Sequence, residues 1–527
     1  MCGVWALIGE HIPRSEVTKY ITRLTNRGPE DTKLFFNKGY QLGFTRLALN
    51  GVNDDGMQPM YWNDLCLICN GEIYNWKDIA EEIGYINKSG SDCEIIGPAF
   101  KHSQSIGDFF RKLHGVFAMV IVDGDRVIIG RDPYGVRPLF IETLNSQIIV
   151  SSEVKALPNI GFIKPFPPGY YATIDIKTLA IEYTQYHFLR IDSIPRCDVF
   201  AALRNGLTNS VRLRMLTERP VAALLSGGLD SSLIAAIVQE QLRKTNRQLE
   251  TFSIGFKGSE DLRHAKMVAE HIGSLHTEVI MTPQEFFQAI PQVIQDIESY
   301  DITTVRASVG NWLLAREISK RSNCKVVFNG DGSDEIFGGY LYFYKAPSDE
   351  EFEEESNRLL KDIHLFDVLR SDRCISSHGL EPRTPFLDKI FVDIVKSIPV
   401  DMRRPNSEHM EKWVLRESFK DTNLLPLEVL YRKKEAFSDG VSGKNGVSWY
   451  QECQARSFKK VPDWKDNLIG RSHLTPYTAE SYYYRMLFET HYSGLEHLVP
   501  YFWMPKWSPE TNDPSARTLN PPTVDAS

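Results

Sequence analysis

Between residues 221 and 328 the chain repeats one pattern: a short apolar run, then an amphipathic stretch of helical period. That alternation limits the fold more than any other feature. Parallel strands need a crossover between them, and a helix supplies it. Residues 221–225 read as a buried strand. Leu229–Arg243 places Leu233, Ile234, Ile237, Val238 and Leu242 on one helical stripe. Strands are expected at 251–255, 276–280 and 325–328, with helices at 262–272 and around 309–320. These elements predict a parallel α/β sheet covered by helices, followed by a mostly helical stretch.

The first third reads differently. Short apolar or alternating runs at 42–49, 116–123, 127–129 and 147–151 alternate with turns, which predicts a β-rich region with interspersed helices. The pattern loosens around 191–196, and helix resumes near Val199. A boundary is therefore expected at about residue 195. The expected units are residues 2–190 and 200–507, with a loose polar, proline-rich tail over 508–527.

The chain has 527 residues, 42% of them hydrophobic, and a formal net charge of -8. This balance argues against a basic nucleic-acid surface. No apolar run reaches the roughly 18 residues of a membrane span. No cationic segment leads into a long apolar core at the start, so a cytoplasmic location without membrane partners is expected. Eight cysteines are scattered along the chain, as in reduced thiols rather than a disulfide framework. Cys66 and Cys69 form a CxxC inside a strand pattern. Residues three apart in a strand face opposite ways, so a metal site is not expected there.

Three segments carry chemistry. Cys2 follows the initiator methionine, and removing Met1 would put a thiol and a free α-amine on one residue. With an amine near pKa 7.7–8.0 and a thiol near about 8.5, the amine can take the thiol proton. Next, Ser226-Gly227-Gly228-Leu229-Asp230-Ser231-Ser232 joins the strand at 221–225 to the helix Leu229–Arg243. Glycines allow close approach to a phosphate, the serines donate, and the helix start adds free amides. Asp230 at an anion site implies a bound Mg²⁺. No GxxxxGK[ST] loop occurs. Finally, Asn329-Gly330-Asp331-Gly332-Ser333-Asp334-Glu335 follows the strand at 325–328, where open α/β sheets bind ligands.

Further motifs complete a resemblance. Arg27-Gly28-Pro29-Glu30, Asn70-Gly71-Glu72-Ile73-Tyr74-Asn75, Ser91-Asp92 and the run from Gly130 to Leu139 resemble class II glutamine amidotransferases, as does Cys2-Gly3. The SGGLDSS segment is similar to that of ATP pyrophosphatases. Gly338-Gly339-Tyr340, Arg383-Thr384-Pro385-Phe386-Leu387-Asp388, Lys434-Glu435-Ala436-Phe437-Ser438-Asp439-Gly440 and Asp513-Pro514-Ser515-Ala516-Arg517 resemble synthetase motifs. Across nearly its whole length the chain resembles the glutamine-hydrolysing asparagine synthetases.

The resemblance implies an N-terminal αββα sandwich of the Ntn-hydrolase type joined to an ATP pyrophosphatase domain. It implies conversion of ATP, aspartate and glutamine into asparagine, glutamate, AMP and pyrophosphate. Cys2 would attack the glutamine amide, and Asn70 and Gly71 would bind the oxyanion. Arg46 would hold the substrate carboxylate, with Glu72 and Asp92 facing its ammonium group. ATP would contact Leu224, Ser226, Gly227, Gly228, Asp230, Ser231, Ser232, Ile254, Asn329 and Gly330. Asp230 and Asp334 would bind Mg²⁺, Lys434 would stabilise the departing pyrophosphate, and Thr304, Arg306 and Arg383 would lie near the acyl-adenylate. An internal passage for ammonia and a homodimer are family expectations.

Two positions depart from the family's SGEGSDE pattern. Asn329 replaces a serine. Asp331 replaces the glutamate thought to control acyl-adenylate formation, and its carboxylate is about 1.5 Å shorter in reach. This change motivates an alternative, a glutaminase or glutamine and ATP sensor with attenuated synthesis. The intact Cys2, Arg46, Asp230 and Lys434 favour the enzyme, and Cys2 disfavours a β-lactam-forming relative without glutaminase function.

Overall fold

The computed structural model describes residues 1–443, 448–468, 472–509 and 511–515. Two compact units emerge. The first comprises 1–188 with the excursions 216–220 and 376–381, and the second comprises the remainder.

The first unit holds two six-stranded antiparallel sheets. Its strands are β1 Gly3–Gly9, β2 Asp31–Asn37, β3 Tyr40–Arg46, β4 Met60–Trp62, β5 Leu65–Ile73, β6 Gly115–Asp123, β7 Arg126–Arg131, β8 Phe140–Thr143, β9 Gln147–Ser151, β10 Phe162–Pro165, β11 Tyr170–Asp175 and β12 Ile181–Gln185. The sheet orders are β10-β8-β9-β1-β3-β2 and β12-β11-β7-β6-β5-β4. Alternation along each strand explains the layering. Val4, Ala6, Ile8, Leu42 and Phe44 from one sheet meet Ile68, Val120 and Val122 from the other. The opposite face of β5 and β6 presents Leu67, Cys69, Met119 and Ile121 to Ile96, Phe100, Phe109 and Phe110 of the covering helices. Helix Arg14–Thr22 covers the first sheet, with Ile21 against Gly43. The result is the expected αββα sandwich. Cys66 lies in the core between the sheets and Cys69 in the core under the helices, so the CxxC does split across the strand. All eight cysteines are free thiols.

The second unit is built on β13 Val221–Leu224, β14 Glu250–Gly255, β15 Leu275–Ile280, β16 Val326–Phe328 and β17 Glu381–Arg383, in the order β15-β14-β13-β16-β17. β13 pairs in parallel with β14 on one side and β16 on the other. The order therefore reverses beside β13, and the loops beyond the carboxyl ends there form a crevice. The helix Leu229–Arg243 has the predicted bounds. Helix Ile302–Arg321 starts seven residues before the expected one, because Asp301 accepts from the Thr304 amide and caps a β-branched run. Ser348 caps Asp349–Asp362. The tail departs from the expected loose segment within its described part. Asp513 pairs with Arg306, and Ser515 donates to Asp439 at 2.8 Å, so both are buried. Residues 516–527, including Ala516 and Arg517, lie outside the described residues. Among the described residues no helix is long and apolar enough to cross a membrane.

Candidate active sites

In the first unit, β1 begins one residue after Cys2 and aligns Gly3 with Thr45 of β3. The Cys2 amide donates to Asn70 Oδ1 at 3.1 Å, and its Sγ lies 3.7 Å from the Leu47 carbonyl. Arg27 of the RGPE turn donates to the Cys2 carbonyl at 3.0 Å and is itself fixed by Glu153 at 2.7 Å. Burial pushes the Cys2 thiol up to about 11. Met1 is fully buried, and its ammonium donates to the Leu380 carbonyl.

Asn70 lies inside β5, fully buried, and its Nδ2 has no hydrogen-bond partner among the described residues. A buried orphan donor is costly unless a ligand completes it. Gly71 is the following residue, where a Cβ would stand 2.1 Å from the Val116 carbonyl. Only glycine lets β5 and β6 approach there. Arg46, at the end of β3, donates to the Asn53 and Gly51 carbonyls at 2.7 and 2.5 Å and so shapes the adjoining loop. Glu72 and Asp92 converge on Asn50, whose amide donates to them at 2.7 and 3.2 Å. The sequence-predicted glutamine residues thus form two groups around one loop, Cys2 with Asn70 and Glu72 with Asp92.

In the second unit, a cavity of about 200 Å³ opens at the carboxyl ends of β13, β14 and β16. Leu224, Ser226, Gly228, Asp230, Ser231, Ile254, Asn329, Gly330, Asp331, Asp334 and Lys434 all line it. Gly228 caps the helix Leu229–Arg243 without a side-chain bond, which leaves the first-turn amides available to an anion. Gly227 adopts φ +73, and a Cβ there would meet the Ala265 amide nitrogen at 2.5 Å. Ser226 and Ser231 hydroxyls bond each other at 2.9 Å, while Ser232 is fully buried.

The charged floor is a connected network. Lys412 Nζ lies 2.6 Å from Asp230 and 2.7 Å from Asp334, and Lys434 Nζ lies 2.5 Å from Asp334. Burial alone would push the Asp334 carboxyl up, but Lys412 and Lys434 outweigh it and hold it well below the usual range. Lys434 is held above its ordinary value, since Asp334 and Asp230 outweigh the opposing effect of burial. Gly339 is required here, because a Cβ would stand 2.1 Å from Lys412 Cε.

Residues 1–187 match the glutamine amidotransferase domain family, and residues 202–358 and 345–511 match the asparagine synthase family. Over 98% of both chains, this protein is 41% identical to the "Asparagine synthetase [glutamine-hydrolyzing]" of Gallus gallus and 42% identical to that of Homo sapiens. The chain belongs to the glutamine-hydrolysing asparagine synthetase family.

The three residues expected near the acyl-adenylate do not line this cavity. Thr304 is buried on Asp301 as part of a helix cap, and its neighbour Thr303 lines the cavity instead. Arg383 is buried in β17 and donates to the Arg214 carbonyl; its own carbonyl accepts from the Asn329 amide. Arg306 is clamped by Glu480 and Asp513 at 2.6–2.8 Å through four hydrogen bonds. Arg306→Met should therefore cost stability, about 3–5 kcal/mol from stranded buried carboxylates, while leaving the KM for aspartate near its starting value. Thermal unfolding alongside aspartate titration checks this, and a selective rise in KM would contradict it.

Sequence reading missed Lys412 and Arg370. Lys412 is 182 residues from Asp230 in sequence. Arg370 pairs with Asp331 at 2.9 Å and also with Asp367 on its own helix. Neither belongs to a local motif with a chemical signature. Burial pushes the Asp331 carboxyl above its ordinary value, against the opposing pull of Arg370.

Proposed function

We propose that the protein makes asparagine from aspartate and ATP with ammonia taken from glutamine, by way of β-aspartyl-AMP. The observation that carries this reading is the convergence of Leu224, Asp230, Ile254, Asn329 and Lys434 on one cavity at the strand-order reversal. A thiol beside an unsatisfied amide in the other unit supports a glutaminase there.

With Met1 removed, the Cys2 α-amine takes the thiol proton, and sulfur attacks the glutamine side-chain carbonyl. Asn70 Nδ2 and the Gly71 amide receive the oxyanion; one such donor is worth about 3–4 kcal/mol. The proton passes to the leaving nitrogen, which departs as ammonia, and water then cleaves the thioester to give glutamate. Arg46 orients the substrate carboxylate with the donors its carbonyl contacts leave over. Glu72 and Asp92 receive the ammonium group.

In the second unit the loop from Ser226 to Ser231 cradles the phosphates of ATP, and Leu224 and Ile254 flank the adenosine. The β-carboxylate of aspartate attacks the α-phosphorus and pyrophosphate leaves. Ammonia then attacks the acyl carbon and AMP leaves. Lys434, which lines the same cavity, would draw charge from the departing pyrophosphate. Asp230 and Asp334 fit Mg²⁺ in kind, being hard oxygen donors. Among the described residues no group of three or more His, Cys, Asp or Glu side chains that could hold a metal ion forms, and Asp230 and Asp334 are the two that would hold one here. When bound, it neutralises charge on the pyrophosphate.

The test supplies purified protein with aspartate, ATP and Mg²⁺, and follows asparagine, AMP and pyrophosphate with glutamine or with ammonia. All three products are expected from both nitrogen sources. Glutamate release without asparagine from either source would instead favour a glutaminase or sensor.

A further inference from the structure

We infer that Asp261 is a positioning residue for Lys434, because its carboxylate clasps both ends of the segment that carries this lysine. The inference deepens the adenylating reaction assigned above and rests on it. Every residue from Arg432 to Ser438 lines the cavity. Residues 432–436 have no regular secondary structure, so no backbone ladder holds Lys434 over Asp334. The Lys434 amide donates to Glu411 at 2.9 Å. One such bond leaves the segment free to swing about it.

Asp261 removes that freedom. It stands, buried, in the first turn of helix Glu260–Ile272, which Ser259 caps. At the near end, Arg432 Nη2 donates to Asp261 Oδ1 at 2.6 Å, and Arg432 Nη1 reaches the Ser226 carbonyl of the phosphate loop at 3.5 Å. Glu435 shares the guanidinium at 3.3 Å. At the far end, Gly440 packs on the same carboxylate: a Cβ there would stand 2.3 Å from Asp261 Oδ2. One residue on, the Val441 carbonyl accepts from the Phe256 amide at 2.9 Å, just past β14. The loop is thus closed through a single side chain. Burial pushes the Asp261 carboxyl up to about 6, against the opposing pull of Arg432. Arg432, Lys434 and Glu435 face it from the segment, and Glu260 and His264 stand on its own helix. A proton on Asp261 leaves Arg432 with a neutral acceptor, and Asp261→Asn does the same at every pH.

The experiment follows aspartate-dependent ATP–pyrophosphate exchange with Mg²⁺ present. At pH 7, Asp261→Asn should lower exchange about tenfold and raise the KM for pyrophosphate, through misplacement of Lys434 by a fraction of an ångström. In a Lys434→Met background the same change should cost less than about twofold, because the clasp acts through that lysine. The ratio of the starting chain to Asp261→Asn should fall toward one as pH drops through about 6, where the carboxylate takes up its proton. Tryptic cleavage after Lys433 or Lys434 should be about tenfold faster in Asp261→Asn, a readout of local opening that needs no activity. Should Asp261→Asn fail to fold, Arg432→Met replaces it in the exchange and cleavage arms. Equal losses in both backgrounds, a ratio that does not move with pH, or unchanged cleavage would overturn the clasp. Absence of exchange in the starting chain would overturn the adenylating reaction instead, and cleavage would still decide the clasp.

Discussion

Cys2→Ala should lower glutamine-dependent asparagine formation by a factor on the order of 10⁴ or more, as loss of a nucleophile does elsewhere, and leave ammonia-dependent formation intact. The asymmetry follows from the division of labour. Cys2, Asn70 and Arg46 lie in the first unit, and the cavity with Asp230 and Lys434 lies in the second. The thiol is pushed up to about 11 by burial, so as an isolated group it would be thiolate in only about one molecule in 10⁴ at pH 7. A base at hand must take its proton during attack. The α-amine of the same residue meets that need once Met1 is gone; while Met1 is attached, the Cys2 nitrogen is an amide that donates to Asn70. Intact mass of the active protein should accordingly lack Met1. Parallel assays with glutamine and ammonia decide the matter. Equal loss of both activities, or glutamine use by a protein that retains Met1, would be incompatible with this scheme.

The parts of both sites that are local in sequence were legible beforehand, and those built by long-range packing were not. The loop from Ser226 to Ser232 stands between a strand and a helix whose apolar spacing marks both, and the structure keeps Leu229–Arg243 as read. Asn70 and Gly71 sit in a strand whose alternation divides Cys66 from Cys69. One element was missed although its signal was present: helix Pro283–Ile297 opens with Thr282, a proline at its first turn and Glu285, a complete capping box. Thr304 and Arg306 misled for a different reason. A polar residue beside a cavity-lining one has the same sequence appearance whether its side chain enters the cavity or is paired beside it. The ion pairs of Arg306 reach Glu480 and Asp513, which are 174 and 207 residues away. Lys412 is the converse case. Between Glu411 and Trp413 it reads as an ordinary surface lysine, and only the fold reveals its two carboxylate partners.

Lys412→Met should abolish most synthesis and lower stability together. The Lys412 side chain is 2% exposed and bridges Asp230 and Asp334, which are 17% and 16% exposed. Removing the ammonium leaves Asp230 without an ammonium partner and Asp334 with Lys434 alone, at a cost of about 3 kcal/mol or more. Lys434 remains on Asp334 but is farther from compensating Asp230. Exchange should fall at least 100-fold, because carboxylates that repel one another no longer present a fixed oxygen pair at the phosphate loop. Glutamine hydrolysis should be retained. The pH dependence follows in sign. Asp334 is held below its ordinary value, so its contribution to stability is full above about pH 4 and is lost as pH falls through the lowered value. The gap between Lys412→Met and the starting chain should thus be widest near neutrality and narrow toward acid, as the two carboxylates take up protons. Adding Asp334→Asn to Lys412→Met should recover part of the lost stability without recovering exchange, since the repelling charge is gone but the oxygen pair is not restored. Thermal unfolding at pH 7 and pH 4 on the three variants gives the answer. A penalty that is the same at both pH values, or no relief from Asp334→Asn, would mean that Lys412 acts by filling space rather than by holding the two carboxylates in place.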